Sequence, residues 1–350
     1  MSKKVLAVAD DPGGGLAVGA VLEEMRNDKS NGITVYTGEL SEKSVKDFDY
    51  RRIKSEIDKQ EAERIIDKTK PDILITGTGG GNAEQMLRNA AFERNLKSIV
   101  ILDFWKDYRR RWLYAEYDLK DMKELVFVMD EMTKSEMEEE GFPGERITVT
   151  GQPYLDKIFN HRNEKLPQTG NTEKEKVKFL LLSQPMKILG VENYEIHPFE
   201  IISGSIAEYG LLKNKETEIT IKPHPSEKDY MTLEEDLKKS TAVNMKIKFA
   251  TQNEDTEKLI RESDIVIGFN TIAMFESRAM NKRTICLNAA PMRNSLLSAM
   301  KNAGIEITFP DLSKFTEHLL NYKEGIVNRE YFSNGIINSV KKIRQELSLN

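Results

Sequence analysis

Short apolar, β-branched runs alternate with longer amphipathic stretches along this chain, and the pattern occurs twice. In the first half the runs are Lys4–Ala9, Gly32–Thr37, Asp72–Gly77, Ser98–Asp103, Glu124–Met129 and Arg146–Gly151. Helical stretches such as "EIDKQEAERIIDKT" and "NAEQMLRNAAFERN" lie between them, and Gly141 marks a helix stop after "TKSEMEEEGF". Runs of this kind are buried on both faces, which predicts α/β domains with parallel sheets. A second series follows in "KFLLLSQP", "EITIKPHP", "MKIKFA", "IVIGFN" and "RTICLN", with helices between. The 350 residues fit two domains. We expect a first domain over 1–160, a polar linker over 161–178 and a second domain over 179–327. An amphipathic helix in 328–350 is expected to pack back on the first domain.

Composition removes several classes. With 39% hydrophobic and 31% charged residues and no apolar run near 20 residues, the chain reads as a soluble, cytoplasmic protein without signal peptide or spanning helix. One cysteine, Cys286, allows no internal disulfide or cysteine cage, and four scattered histidines argue against a zinc cluster. We expect no metal and no cofactor. A net charge of −5 argues against nucleic acid as a partner.

The polar and glycine signals fall at strand ends, where ligands bind in open α/β sheets. The first is "DDPGGG", with Asp10 and Asp11 before Gly13, Gly14 and Gly15. The second is "TGTGGGN", with Gly79 and Gly80, and the third is "LDFWKDYRRRW" after the Ser98–Asp103 run. Glycines there let a backbone approach a sugar or phosphate, or they only turn the chain into a helix. Gly13 and Gly15 are spaced as in a dinucleotide fingerprint, with Glu39 near the distance of a ribose acid, but Val18 holds the third glycine's place. Trp105 and Tyr108, interleaved with Arg109, Arg110 and Arg111, suit an anionic or sugar acceptor through stacking and arginine forks; a surface helix with inward aromatics reads equally well.

In the second half, "SQP" brings Ser183 and Gln184 to a strand end, and "KPHP" brings Lys222 and His224. Two prolines hold His224 in a rigid turn, suited to donating to a phosphate oxygen, or it only ties the loop down. Asn270 and Thr271 open a helix whose first N–H groups suit an anion, and Glu276 follows within reach of a ribose, unless it is a solvated helix residue. His161, His197 and His318 lie in linker or helix contexts and read as structural.

Together "VTGQPYLD", "KPHPSE" and "ESDIVIGFNTIAMFESRAMNKRTICL" resemble the GT-B glycosyltransferases, above all capsule and teichoic-acid types, and the related UDP-N-acetylglucosamine 2-epimerases. The resemblance spans the chain in architecture and about five short motifs in sequence. It implies two Rossmann-like domains facing each other across a cleft. It assigns the donor's diphosphate to His224, Asn270 and Thr271 and its ribose to Glu276, and we expect Ser183, Gln184 and Lys222 at the neighbouring strand ends to take part in binding the donor. The first domain would hold the acceptor or sugar through Gly13, Gly14, Gly15, Gly79, Gly80, Trp105, Tyr108 and Arg109. A general base would then be Asp11, with Asp103 and Asp107 behind it; a retaining enzyme needs none. The epimerases carry a "GTRPE"-like first loop and a "VEAGLRT"-like strand end, where this chain has "DDPGGG" and "LDFWKDYRRRW".

The expected function is therefore a glycosyltransferase using a nucleotide-sugar donor and a carbohydrate or lipid-linked acceptor in surface-polysaccharide synthesis. Peripheral contact with the inner face of the membrane is part of that expectation. The alternatives are an epimerase acting on a UDP-sugar and a non-catalytic sugar-nucleotide binder.

Overall fold

The computed structural model describes residues 3–27, 31–161, 175–184, 198–224, 245–251, 254–287, 292–308, 315–321 and 325–348. The chain forms two compact units, one from residues 1–162 with 330–350 and the other from 163–329. Residues 162–174 of the expected linker, the helix expected near "TLEEDLKKS" and His197 lie outside the described residues.

The first unit holds β1 (Lys3–Ala9), β2 (Asn31–Thr37), β3 (Tyr50–Arg52), β4 (Ile73–Thr76), β5 (Lys97–Ile101), β6 (Leu125–Val128) and β7 (Ile147–Val149). They form one sheet in the order β3-β2-β1-β4-β5-β6-β7. Every pairing is parallel; Val5 stands opposite Ile33 on one side and Ile73 on the other. Side chains alternate across β1. Val5, Ala7 and Ala9 enter one core with α1 (Pro12–Met25), while Leu6 and Val8 enter the opposite core with α2 (Lys59–Thr69) and α3 (Ala83–Glu93). That two-sided burial explains why the strand reads as a continuous apolar run. The short edge strand β3 carries no such run and was not foreseen.

The unit is completed by α4 (Glu131–Glu139), α5 (Pro153–Asn160) and the C-terminal α11 (Gly335–Ser348). Helix α11 contributes Val340, Ile343 and Leu347 to the α1 core. Lys97 Nζ donates to the Glu346 carbonyl at 2.7 Å, and Ile336 N–H to Asp156 at 3.1 Å. Gly151 has φ +94°, and a Cβ on it would stand 2.9 Å from Gly335 Cα, so two bare backbones meet here.

The second unit holds β8 (Lys176–Leu182), β9 (Glu216–Lys222), β10 (Met245–Phe249), β11 (Ile265–Gly268), β12 (Arg283–Leu287) and β13 (Glu306–Thr308), ordered β10-β9-β8-β11-β12-β13 and all parallel. Strand β8 begins at Lys176, so the last residues of the expected linker are strand. The helices are α6 (Pro198–Lys213), α7 (Thr256–Glu262), α8 (Ile272–Ala279), α9 (Asn294–Asn302) and α10 (Phe315–Leu320). The core gathers Phe179, Leu181, Ile219, Ile267, Phe269 and Ile285 beneath α6 and α10. Both units are thus Rossmann-like. Among the described residues no helix is long and apolar enough to cross a membrane.

Because Ile343 is fully buried between α11 and the sheet, Ile343→Ala should destabilise the first unit by about 2–5 kcal/mol. Urea unfolding followed by circular dichroism checks this; a loss below about 1 kcal/mol would mean α11 is not part of that core.

Candidate active site

In each sheet the chain leaves its first strand toward one edge and later returns to the other side of it. The reversal lies between β1 and β4 in the first unit, and between β8 and β11 in the second. Loops at such a point diverge and leave a crevice at the strand ends.

In the first unit the "DDPGGG" stretch is not an open loop. Asp11 is the N-cap of α1, with extended backbone and its Oδ1 accepting from Gly14 N–H at 2.7 Å; Pro12 opens the helix and the three glycines form its first turn. The reason is close approach. A Cβ on Gly77 would stand 2.8 Å from Gly14 Cα, one on Gly15 would stand 2.8 Å from Ser41 Cβ, and one on Gly13 would collide with Asp103 Oδ2. Glycines here bring the helix against the β4 loop and the end of β5.

Four carboxylates gather around this turn. Glu84, buried at the start of α3, accepts from Asp10 N–H at 2.9 Å through Oε1 and from Gly79 N–H at 2.5 Å through Oε2. It thereby ties the β1 loop to the β4 loop. Asp10 Oδ1 accepts from Ser55 Oγ at 3.0 Å. Asp103 Oδ1 accepts from Thr78 Oγ1 at 2.9 Å and from the Arg111 guanidinium, while Gln152 Nε2 holds the Asp103 carbonyl at 3.0 Å. Arg111 also reaches the Thr78 hydroxyl and carbonyl.

Crowding and burial raise the carboxyls' affinity for protons. Asp11 is pushed up to about 8, first by desolvation and then by the charges of Asp103 and Glu84; Gly14 N–H and Arg111 oppose the rise. Desolvation pushes Glu84 up to about 7 against its two backbone donors and Arg88. Asp10 is raised by burial, with Ser55 opposing. The result is a carboxyl at a helix N-terminus that can take up or release a proton near neutral pH. Among the described residues no group of histidine, cysteine or carboxylate side chains is arranged to hold a metal ion.

Several expected residues lie elsewhere. Trp105 and Tyr108 are fully buried, the indole N–H donating to Asp130 at 2.8 Å and the phenol to Glu136 at 2.9 Å, so neither offers a face for stacking. Asp107 is exposed in a left-handed turn (φ 57°) and takes no part in the bonds that join the carboxylates. Arg109 is exposed, its backbone N–H on Glu140. The arginine that turns inward is Arg111, whose guanidinium bonds Asp103 and Thr78 from the short 3-10 helix Arg109–Trp112. Gly79 packs against Asp10 and Glu84, while Gly80 is exposed and a Cβ on it would meet nothing within 4 Å. Glu39 is exposed at the head of the 3-10 helix Glu39–Val45. Glu84 and Thr78 escaped sequence reading; a glutamate and threonine inside the strand-end motif "TGTGGGNAE" were the available signal.

In the second unit Ser183 is buried at the end of β8, its N–H on the Lys222 carbonyl at 2.9 Å, and Gln184 beside it is half-buried. Lys222 is buried at the end of β9, its Nζ donating to the Thr251 carbonyl at 2.7 Å, and desolvation lowers its pKa. His224 follows, half-buried. Across the reversal, Thr271 is the extended N-cap of α8 without a side-chain capping bond, Asn270 precedes it and Glu276 lies half-buried one turn on. Sheet order therefore brings Ser183, Gln184, Lys222, His224, Asn270 and Thr271 to one end of the second sheet.

No protein-family model matches the chain, and no curated protein matches it. Among solved structures it is similar to UDP-GlcNAc 2-epimerase from Methanocaldococcus jannaschii in complex with UDP-GlcNAc and UDP (TM-score 0.67, 15% identity, 99% of this chain and 100% of that one). It is also similar to UDP-GlcNAc 2-epimerase from Neisseria meningitidis bound to UDP-GlcNAc (TM-score 0.63, 16% identity, 99% and 100%). A glycotransferase of kitacinnamycin is more distant (TM-score 0.55, 9% identity, 99% and 95%). At these identities the likeness is one of fold: two Rossmann-like units of the GT-B type.

The Asp11 shift has a sign that stability can read. Its folded pKa of about 8 lies above the unfolded 3.8, so the folded chain keeps a proton that the unfolded chain sheds. The stability tied to this group is full below about pH 4 and is lost as pH rises through 8. Asp11→Asn keeps a good N-cap and removes the titration. Its melting temperature relative to the wild type should therefore climb from pH 5 to pH 9 by calorimetry; a constant difference would mean that Asp11 titrates as an ordinary carboxyl.

Proposed function

We propose that the protein is an enzyme acting on a nucleotide-activated sugar, with the second unit holding the nucleotide and Asp11 of the first unit moving the proton. The observation that carries this reading is a near-neutral carboxyl at the β1/β4 reversal, capping a glycine-built helix turn packed beside Asp103 and Arg111. A general base works best with a pKa near the working pH, and burial has brought Asp11 there. The strand-end set of the second unit supplies a lysine, a histidine and an uncapped helix start, all suited to a diphosphate. The fold supports the same reading, since the M. jannaschii and N. meningitidis epimerases are bound to UDP-GlcNAc.

For the reaction we favour glycosyl transfer. Asp11 as base would take the proton of an acceptor hydroxyl while the groups of the second unit stabilise the leaving nucleotide. Glycosyl transfer fits the departure of both first-unit motifs from the epimerase pattern. The higher TM-scores to the epimerases favour a second reading, epimerisation of a UDP-sugar without acceptor.

Incubation with UDP-GlcNAc alone separates the two: a new epimer by NMR means isomerase, whereas an unchanged donor that is consumed only with an acceptor present means transferase. In either case Asp11→Asn should lower turnover by roughly 10²–10⁴-fold with little change in nucleotide affinity. Turnover within a few-fold of wild type would remove Asp11 from the chemistry.

Glu276 tests the nucleotide assignment. If its carboxylate accepts the ribose 2′-hydroxyl, Glu276→Ala should weaken UDP by about tenfold and leave 2′-deoxy-UDP nearly unaffected in calorimetric titration. Equal losses for both ligands would place Glu276 outside the ribose site.

A further inference from the structure

Arg88 is a buried cation whose hydrogen bonds all go to neutral groups, its charge acting on the Glu84 carboxylate without a bond to it. It lies on α3 with 2% of its surface exposed, and none of its four hydrogen bonds goes to a carboxylate. Nη1 donates to Thr76 Oγ1 at 3.1 Å and to the Gly77 carbonyl at 3.2 Å. Nη2 donates to Gln85 Oε1 and, at 3.2 Å, to the carbonyl of Arg111. Nε has no hydrogen-bond partner among the described residues, and the guanidinium lies 5.3 Å from the Trp112 ring centroid. A neutral side chain would bond these carbonyls without the heavy cost of burying a charge. What the fork does touch is the end of β4, where the Thr78 turn begins, and the backbone of the residue whose guanidinium grips Asp103.

We infer that Arg88 is a positioning residue for the carboxylate cluster: by holding the Gly77 and Arg111 carbonyls in one fork, it sets Arg111 on Thr78 and Asp103. The inference deepens the proposed function, resting on it only for the use made of Asp11, and the relay can be measured without any substrate. The charged groups facing the crevice are Asp10 and Asp11 after β1, Glu84 and Arg88 on α3, Asp103 after β5, and Arg111. Arg111 is the cation that lowers Asp11; its guanidinium is held by Asp103, by the Thr78 hydroxyl and carbonyl, and by the Lys106 carbonyl, while its own backbone carbonyl is held by the Arg88 fork. Without the fork, the backbone that carries Arg111 loses its anchor to the end of β4, so the guanidinium is aimed less closely at Thr78 and Asp103 and offsets the carboxylates less well.

The test is the Asp11 titration midpoint, read by carboxyl-carbon NMR on the full chain. In Arg88→Met the midpoint should rise by about one pH unit, the usual size of losing a near cation. The rise should vanish when Arg111→Met is already present, since the effect runs through Arg111. Arg88→Lys keeps the charge and loses the fork, so it should raise the midpoint too, and it serves where Arg88→Met does not fold. A residue that merely packs would let water in and move the midpoint down toward the ordinary aspartate range. A fall, an unchanged midpoint in both variants, or a rise that persists in the Arg111→Met background would overturn the assignment. Absence of transferase or epimerase turnover would count against the proposed function and leave this result untouched.

Discussion

The bond pair on which the first unit's site depends is the one made by Glu84. Its buried carboxylate accepts from Asp10 N–H, directly after β1, and from Gly79 N–H, three residues past β4, in two loops that leave the sheet in opposite directions. Diverging loops at a sheet reversal have no strand partner past the last ladder bond, so some other acceptor must satisfy their N–H groups. Glu84 does so from the helix that follows β4. The geometry of the crevice, the bed of Gly13 to Gly15 and the place of Asp11 all follow from holding these two loops together.

That clamp has an electrostatic consequence. A buried acceptor with two backbone donors is favoured as an anion, yet burial itself raises its pKa to about 7. Asp11, Asp10 and Asp103 stand nearby, and each added anion makes the next more costly. The protein offsets this with two arginines of different placing. Arg111 touches Asp103 directly, whereas Arg88 acts on Glu84 by its charge and makes its hydrogen bonds to backbone carbonyls and neutral side chains. Burial first, and then the charges of Asp103 and Glu84, push Asp11 up to about 8 at its helix cap. Stability is given up at high pH for a proton that can move near neutrality, a trade typical of reactive sites.

The second unit divides the work differently. Its reversal brings together a lysine, a histidine and a helix start. One sheet end is rich in proton acceptors and the other in donors.

Much of this was legible before any coordinates. The apolar runs of β1, β4 and β5 are two-sided core, and nothing else a soluble chain can do with "VLAVA" or "DILI" is as stable. The strand-end positions of Asp11, Asp103, Ser183 and His224 follow from that pattern, because a side chain after the last strand residue must face the sheet's end. What local sequence leaves open is direction within irregular backbone. In "DFWKDYRRRW" nothing local decides that Trp105 and Tyr108 turn inward to Asp130 and Glu136, that Asp107 faces solvent, or that Arg111 and not Arg109 reaches Asp103. Those choices rest on partners 25, 28 and 8 residues away in the chain. The glycines, too, are ambiguous by themselves. Only contact with Gly77, Ser41 and Asp103 turns an expected loop into the first turn of α1. The sequence by itself determined the two α/β units and the strand ends that bear chemistry, through periodic burial. The tertiary structure alone decided which carboxylates share a crevice and how their protons are held, because proximity and desolvation arise only when distant segments pack together.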